Sequence, residues 1–339
     1  MKKKRVLHLL SSNSFSGAEN VVCTIIENDK DYKMYYCSKP GPIVKILKDK
    51  KINYLPIKKL SPKLIKEVCV DNQIDILHAH DYKASFWAAL SGFKGKIIAH
   101  VHCNPEFSHN WNLFTLAYKM VMNRFDNIIF VSNEAKNQAI YLRNRVVKTM
   151  VIENVVNKKS VIEKSKAFKT GKYHIIFVGR LTEVKRPELV IEVTRKLKET
   201  YPQIKTAIVG DGNLNEKLRE LIKSYELEDN VELLGFKPNP FPYVKNSKVA
   251  LLTSSHEGLP MSVIECMALD VPVLNSGVGG LSTLFNNHQE FICTSVKDYC
   301  DKIEKILNGD VTFKSECTSI IKDATNVSKF ITEINSVYK

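Results

Sequence analysis

In TSSHEGLPMSVIECMALDVPV, from Thr253 to Val273, two carboxylates, a glycine-proline turn and a short apolar helix fall between two strands. Glu257 and Glu265 can accept hydrogen bonds but not donate them, so the pair calls for hydroxyl donors: a ribose diol at one and a sugar hydroxyl at the other. Pro260 suits the first helical position, where its missing N–H costs nothing. The amides of Met261, Ser262 and Val263 then look back at the loop holding Gly258 and Leu259, and with the helix dipole they suit a phosphate. A nucleotide sugar carries all of these groups. A solvated loop glutamate and an exposed helix glutamate would leave the same residues, so the rest of the chain has to decide.

Two cations sit in a matching place. GRLTEVKRPELVI puts Arg180 and Lys185 just past a strand end and ahead of a helix, which suits a diphosphate, although a solvated basic loop reads the same way. The loop SSNSFSGAEN ends on Gly17, where a missing side chain permits close approach to a phosphate, but it lacks a G-x-G-x-x-G pattern. Asp211 in GDG and Phe236 after Gly235, an aromatic face for a base, are weaker signals of the same kind. Histidines end two neighbouring strands, in HAHDYK and AHVHCN, and His102, nearest the loop, is favoured over His100 on the expectation that only one of them faces the ligand side. No carboxylate or cysteine spacing completes a metal site around them, so no metal is expected.

These residues need two frames to hold them. Short β-rich runs at Arg5 to Leu10, Lys33 to Cys37, Ile52 to Ile57, Ile74 to Ala79, Lys96 to Val101 and Asn127 to Ser132 alternate with helical segments. The pattern restarts at His174 to Val178, Lys205 to Val209, Val231 to Leu234 and Val249 to Leu252. Crossovers of this length pack strands in parallel and leave the loops at their carboxyl ends for ligands. Two α/β domains are expected, 1–160 and 161–325, joined by a lysine-rich linker from Asn154 to Thr170.

Composition narrows the setting. The 339 residues hold no apolar stretch long enough to span a bilayer, and MKKKRVLHLL reads as a first strand, not a signal peptide. Eight scattered cysteines without a C-x-x-C pair fit a reducing cytosol. The net charge of +14 is uneven: residues 1–160 carry 26 basic against 13 acidic side chains, the remainder 24 against 23. Such asymmetry fits an anionic membrane face or nucleic acid, and a merely solvated lysine-rich surface equally well.

Taken in order, SGAE at Ser16 to Glu19, VGRLTEVK at Val178 to Lys185, VGDG at Val209 to Gly212, LLGF at Leu233 to Phe236 and EGLPMSVIE at Glu257 to Glu265 resemble family 4 of the glycosyltransferases. The resemblance implies a GT-B fold, two Rossmann-like doubly wound parallel-sheet domains facing across a cleft, with a last helix, about 326–339, returning to the first domain. It implies a retaining, metal-independent hexosyltransferase-type enzyme that moves a sugar from a UDP- or GDP-linked donor to a glycan or lipid-linked acceptor in surface polysaccharide or cell-envelope synthesis. Arg180 and Lys185 would hold the diphosphate, Glu265 the ribose, and Gly17 would approach the diphosphate. Glu257 would meet the donor sugar, His102 the reacting sugar, and Gly258, Leu259, Met261, Ser262 and Phe236 would line the donor site. The implied setting is cytoplasmic, with the basic first domain resting on the inner face of the plasma membrane. Ser16 in place of a first glycine, Thr283 in place of a glutamate and IENVVN at Ile152 to Asn157 depart from the family pattern without touching Arg180, Lys185, Glu257 or Glu265. A UDP-sugar epimerase of the same fold lacks a placed general base. A basic nucleic-acid-binding protein lacks aromatics interleaved with its cations, so no nucleic acid is expected.

Overall fold

The computed structural model describes residues 3–102, 108, 110–144, 147–257 and 260–339. The chain divides into two compact units, Met1–Val155 with Val327–Lys339, and Val156–Asn326.

The first unit is built on a parallel sheet of β1 (Arg5–Leu9), β2 (Lys33–Ser38), β3 (Tyr54–Pro56), β4 (Ile76–Ala79), β5 (Lys96–Val101), β6 (Asn127–Phe130) and β7 (Thr149–Val151). Its order is β3-β2-β1-β4-β5-β6-β7. The short edge strand β7 lies beyond the runs that β propensity marks out. Strands covered on both faces are nearly continuous apolar runs, and period two sorts them. Leu7, Leu9, Leu77, Ala79, Ile97, Ala99 and Val101 join one core cluster, while the residues between them face the other way. Polar residues then cap the helices that follow the strands. Asp81 accepts from the Ala84 amide at 2.7 Å, Ser132 from Ala135 at 3.0 Å and Asn112 from Thr115 at 3.0 Å.

The final helix, Val327–Tyr338, belongs to this unit. Tyr338 is fully buried, its ring set edge-on to Tyr32 at 5.0 Å between centroids, and Lys96 Nζ reaches the carbonyls of Val337 and Tyr338 at 3.4 and 3.3 Å.

The second unit has a five-stranded parallel sheet of β8 (Tyr173–Val178), β9 (Thr206–Val209), β10 (Val231–Gly235), β11 (Ser247–Leu252) and β12 (Val273–Asn275), in the order β10-β9-β8-β11-β12. One core fills both of its faces, from Val156 on the entering segment to Ala324. The stretch read from sequence as a linker contains a helix: Asn157 caps Lys158–Lys164 by accepting from the Ser160 amide at 3.1 Å, and Val161 is buried. Its lysines suggest a solvated tether, but one apolar side chain and one cap suffice to dock a two-turn helix on a neighbouring core.

Both sheets reverse their strand order at one point, between β1 and β4 in the first and between β8 and β11 in the second. At such a point the loops leaving the two central strands diverge to opposite faces and open a crevice at the carboxyl ends of the strands. The residues singled out from the sequence lie mainly on these loops.

Candidate functional site

In the second unit the site is assembled from the carboxyl ends of β8 to β11. Glycine lets these ends crowd together. A Cβ on Gly210 would stand 1.8 Å from the Gly179 carbonyl oxygen, and one on Gly212 would stand 2.3 Å from that of Leu181. The backbone laces the same loops, with Gly179 N–H donating to Val209, Gly210 N–H to Gly235 and Leu181 N–H to Asp211, each at 3.0 Å. Arg180, Asp211 and Phe236 therefore stand on adjacent loops. Arg180 is exposed, with no ion-pair partner among the described residues. Asp211 accepts from its neighbours Gly212 and Asn215 at 2.8 and 3.1 Å and shapes its own turn. Phe236 projects its ring into solvent just after Gly235, whose φ of +69° suits glycine.

The loops at the reversal point are stapled across it. Thr253, fully buried after β11, sets its hydroxyl 2.9 Å from both the Lys185 and the Arg186 carbonyl oxygens. The Ser255 amide donates to the Val184 carbonyl at 2.8 Å. This staple brings two of the sequence-selected residues together: Lys185 Nζ donates to Glu257 Oε1 in a largely buried ion pair. Ser254 Oγ donates to the same carboxylate oxygen at 2.6 Å. A lysine so held has further N–H donors to offer, and a carboxylate further lone pairs, so cation and acceptor sit side by side for a ligand that carries both phosphate and hydroxyl groups.

The helix that follows runs from Met261 to Ala268 with Pro260 as its N-cap, one residue earlier in role than the sequence suggested. The Val263 amide already donates to the Pro260 carbonyl at 3.2 Å, which removes it from the expected trio. Among the described residues the amides of Met261 and Ser262 keep the open positions. Gly258 and Leu259 lie outside the described residues. Glu265 is one turn further along, and burial pushes its carboxyl up to about 7 against the pull of Lys164 on the docked Lys158–Lys164 helix. Lys164 lies in the stretch whose lysines suggest a linker, and nothing in its local sequence points toward Glu265.

The first unit has its own reversal point. Gly17 opens the helix Gly17–Asn28, where Glu19 accepts from the Ser16 amide at 3.0 Å and from the Ser16 hydroxyl, a reciprocal cap that explains a serine there. The preceding loop is tied to the next strand end, with the Ser11 amide donating to Asp81 Oδ2 at 2.8 Å.

Beside it runs a column of imidazoles. The expectation that His100 and His102 face opposite ways is wrong, because residues two apart in a strand share a face. Their rings stack 4.1 Å apart, and His78 and His80 lie 4.0 Å apart on β4 and its end. His8 on β1 joins them, unsuspected because it stands alone in an apolar strand; its position in register with His78 is the signal that would have found it. His8 Nδ1 meets His80 Nε2 at 2.9 Å, His80 Nδ1 meets His102 Nε2 at 3.1 Å, and His78 Nδ1 meets the Tyr338 hydroxyl at 2.7 Å. Burial lowers all five, His8 to about 3, His102 to about 4 despite a bond to Asn154, and His78, His80 and His100 well below the usual histidine range.

Two triads, His8 with His78 and His80, and His80 with His100 and His102, bring ligand nitrogens within 4.8 Å of one another. Neither triad includes a carboxylate, and three of the rings are already bonded to each other. As it stands, the column is a hydrogen-bonded array of imidazoles that burial keeps neutral.

Residues 158–327 match the family model described as glycosyl transferases group 1, and residues 17–159 match that of glycosyltransferase family 4. An uncharacterised glycosyltransferase of Methanocaldococcus jannaschii is 34% identical over 195 residues, 53% of this chain and 48% of the relative, so this match spans about half of each. An N-acetylgalactosamine-N,N'-diacetylbacillosaminyl-diphospho-undecaprenol 4-alpha-N-acetylgalactosaminyltransferase of Campylobacter jejuni is 27% identical and covers 93% of this chain and 96% of its own. Among solved structures, Anabaena HepE in complex with UDP-glucose superposes with a TM-score of 0.83 at 19% identity, over 98% of this chain and 99% of that one. With both halves matched and the two parallel sheets of the GT-B fold in place, the chain belongs to the family 4, group 1 glycosyltransferases.

Proposed function

We propose that the protein transfers a sugar, with retention at the anomeric carbon, from a nucleoside diphosphate to a glycan or lipid-linked acceptor during surface polysaccharide or cell-envelope synthesis. The observation that carries this reading is the Lys185–Glu257 pair, pinned by Thr253 at the sheet reversal on the loop that also carries Arg180, with Glu257 shortly before the Met261–Ala268 helix. Arg180 and Lys185 take the diphosphate and offset the charge that builds on it as the glycosidic bond breaks, and the Met261 and Ser262 amides add to that field. Glu265 receives the ribose hydroxyls, Glu257 a hydroxyl of the donor sugar, and Phe236 lies against the base. In the first unit, Gly17 is the proposed point of phosphate approach, and His102, neutral at pH 7 with its ring engaged by His80 and Asn154, supports the strand end proposed to face the reacting sugar. The acceptor hydroxyl enters on the face that the diphosphate leaves. Two cations and two oriented amides do the work that a metal ion would otherwise do, so the reaction needs none.

HepE binds UDP-glucose, and the Campylobacter relative is named for an undecaprenol-linked acceptor. Both support a nucleotide-sugar donor and a lipid carrier here. The basic first half then rests on an anionic membrane at the cytoplasmic face. The test is a thermal-shift screen of the full chain against UDP- and GDP-sugars, followed by donor hydrolysis in the presence of a chelator. A rise in melting temperature with one donor class and chelator-resistant hydrolysis, both abolished by Arg180→Ala or Glu265→Ala, are expected. Full activity in those two variants overturns the site, and no response to any activated sugar overturns the function.

A further inference from the structure

The helix Leu113–Val121 is apolar on both sides. Thr115, Tyr118 and Val121 are buried, and Tyr118 packs on Tyr82, Phe125 and Tyr141. The opposite stripe ought to be polar if it met only water. Instead Leu113 is 83% exposed, Phe114 74% and Met120 77%, with Leu116 and the preceding Trp111 also exposed. Among the described residues, five of the 13 exposed large apolar side chains thus lie within ten consecutive residues. This concentration is not the scatter of a normal surface.

A lysine lies at its border, in a basic stretch of the chain. Lys119 Nζ stands 4.8 Å from the Trp111 ring centroid and donates to the Arg143 carbonyl at 2.8 Å. From Tyr82 to Lys148 the sequence carries nine basic and three acidic residues. A second copy of the chain would bring the same positive border against itself, and five side chains fall short of the ~20–30 residues a side of a stable dimer. An anionic lipid surface offers the opposite charge and an apolar layer of the right depth for one helix.

We propose that the Leu113–Val121 helix lies in the interface of an anionic bilayer, with Leu113, Phe114, Leu116 and Met120 among the acyl chains and Trp111 and Lys119 at the level of the headgroups. This rests on the reading of a lipid-linked acceptor and gives that reading its membrane contact. Lys119 and its basic neighbours draw the unit to the surface, and the apolar stripe retains it.

The test is co-sedimentation of the full chain with vesicles of phosphatidylglycerol and phosphatidylcholine, and with phosphatidylcholine alone. Wild type should partition to the anionic vesicles, release as salt is raised, and lose at least ~10-fold in partitioning in a Leu113→Gln, Phe114→Gln, Met120→Gln variant. That variant should keep wild-type donor hydrolysis in solution, which separates loss of docking from loss of fold. With Trp87→Phe, Trp111 is the remaining tryptophan, and its emission should shift blue on the vesicles and be quenched by brominated lipid. Wild type remaining in the supernatant with anionic vesicles overturns the proposal. So does a triple variant that sediments like wild type, or a wild-type dimer in light scattering that the triple variant converts to monomer. Vesicle binding that persists in a chain with no donor hydrolysis would instead overturn the transferase reading and leave this one intact.

Discussion

At the scale of single residues, Lys185 and Glu257 stabilise each other in a largely buried pair, and each is also proposed to meet the donor. Removing the lysine alone leaves a buried carboxylate uncompensated, a loss of roughly 3–5 kcal/mol for such pairs. Lys185→Met should therefore lower the melting temperature by several degrees and weaken donor binding at least ~10-fold. The double variant Lys185→Met, Glu257→Gln should recover most of the stability and none of the binding, as thermal melts and donor titrations on the same samples will report. Glu265 behaves differently because its carboxyl is raised to about 7. A carboxyl whose folded pKa exceeds its unfolded value costs stability as pH rises from the ordinary carboxylate range through 7. Glu265→Gln should thus stabilise the fold by ~1–3 kcal/mol at pH 8. The same change removes the ionised form of the proposed ribose acceptor, so wild-type donor affinity should climb between pH 6 and 8 and that of the variant should stay flat and low.

At the scale of elements, the staple between the loops after β8 and β11 hangs on one buried hydroxyl. Thr253→Val keeps the shape and deletes the donor to the Lys185 and Arg186 carbonyls. The cost should be ~1–3 kcal/mol, and the donor KM should rise more than kcat falls, because the loop carrying Lys185 loses its register while the chemistry of its amine is unchanged. The imidazole column ties β1, β4 and β5 to pH. Each of its five rings is held neutral, so the unfolded chain takes up protons that the folded one refuses. Their contribution is complete above the unfolded histidine value of 6.5 and drains away as pH falls toward the range from 4 to 3 given by His102 and His8. Each ring adds about 1.4 kcal/mol per pH unit to the slope, partly opposed by Glu265 above the carboxylate range. Urea melts from pH 7.5 downward should show a steep loss beginning near 6.5. Neither ring nitrogen of His100 has a partner among the described residues, so His100→Phe should reduce the slope by one proton at little cost in stability at pH 7.5.

At the scale of the whole molecule, the chain returns its last helix to the unit where it began. Val327–Tyr338 brings the Tyr338 hydroxyl to His78 and its carbonyl to Lys96, and Asn335 donates to Asp31 at 3.3 Å. Truncation after Asn326 should destabilise the first unit, stripping the cover from Tyr32 and from the imidazole column. The second unit, with its own core from Val156 to Ala324, should still bind donor. Calorimetry of the truncated chain should give a low-temperature transition unmoved by donor and a second one that donor raises, by about 2.7 kcal/mol in free energy at a hundred times Kd. Tyr338→Phe is the milder form, losing one hydrogen bond and keeping the ring.

The alternation of apolar runs, glycines and capping residues was enough to read ten strands, two parallel sheets and the loops that bear Arg180, Lys185, Glu257 and Glu265, because these signals are local and each strand carries its own. Lys158–Lys164 hid behind its lysines, since its docking depends on a core built from elsewhere. The Lys185–Glu257 pair, the Thr253 staple, the approach of Lys164 to Glu265 and the place of His8 beside His78 join residues far apart in the chain. The sequence determined which residues each strand end presents. Only the order in which the strands lie in each sheet decided which of those ends meet, because parallel pairing through crossovers makes neighbours of segments that no local pattern connects.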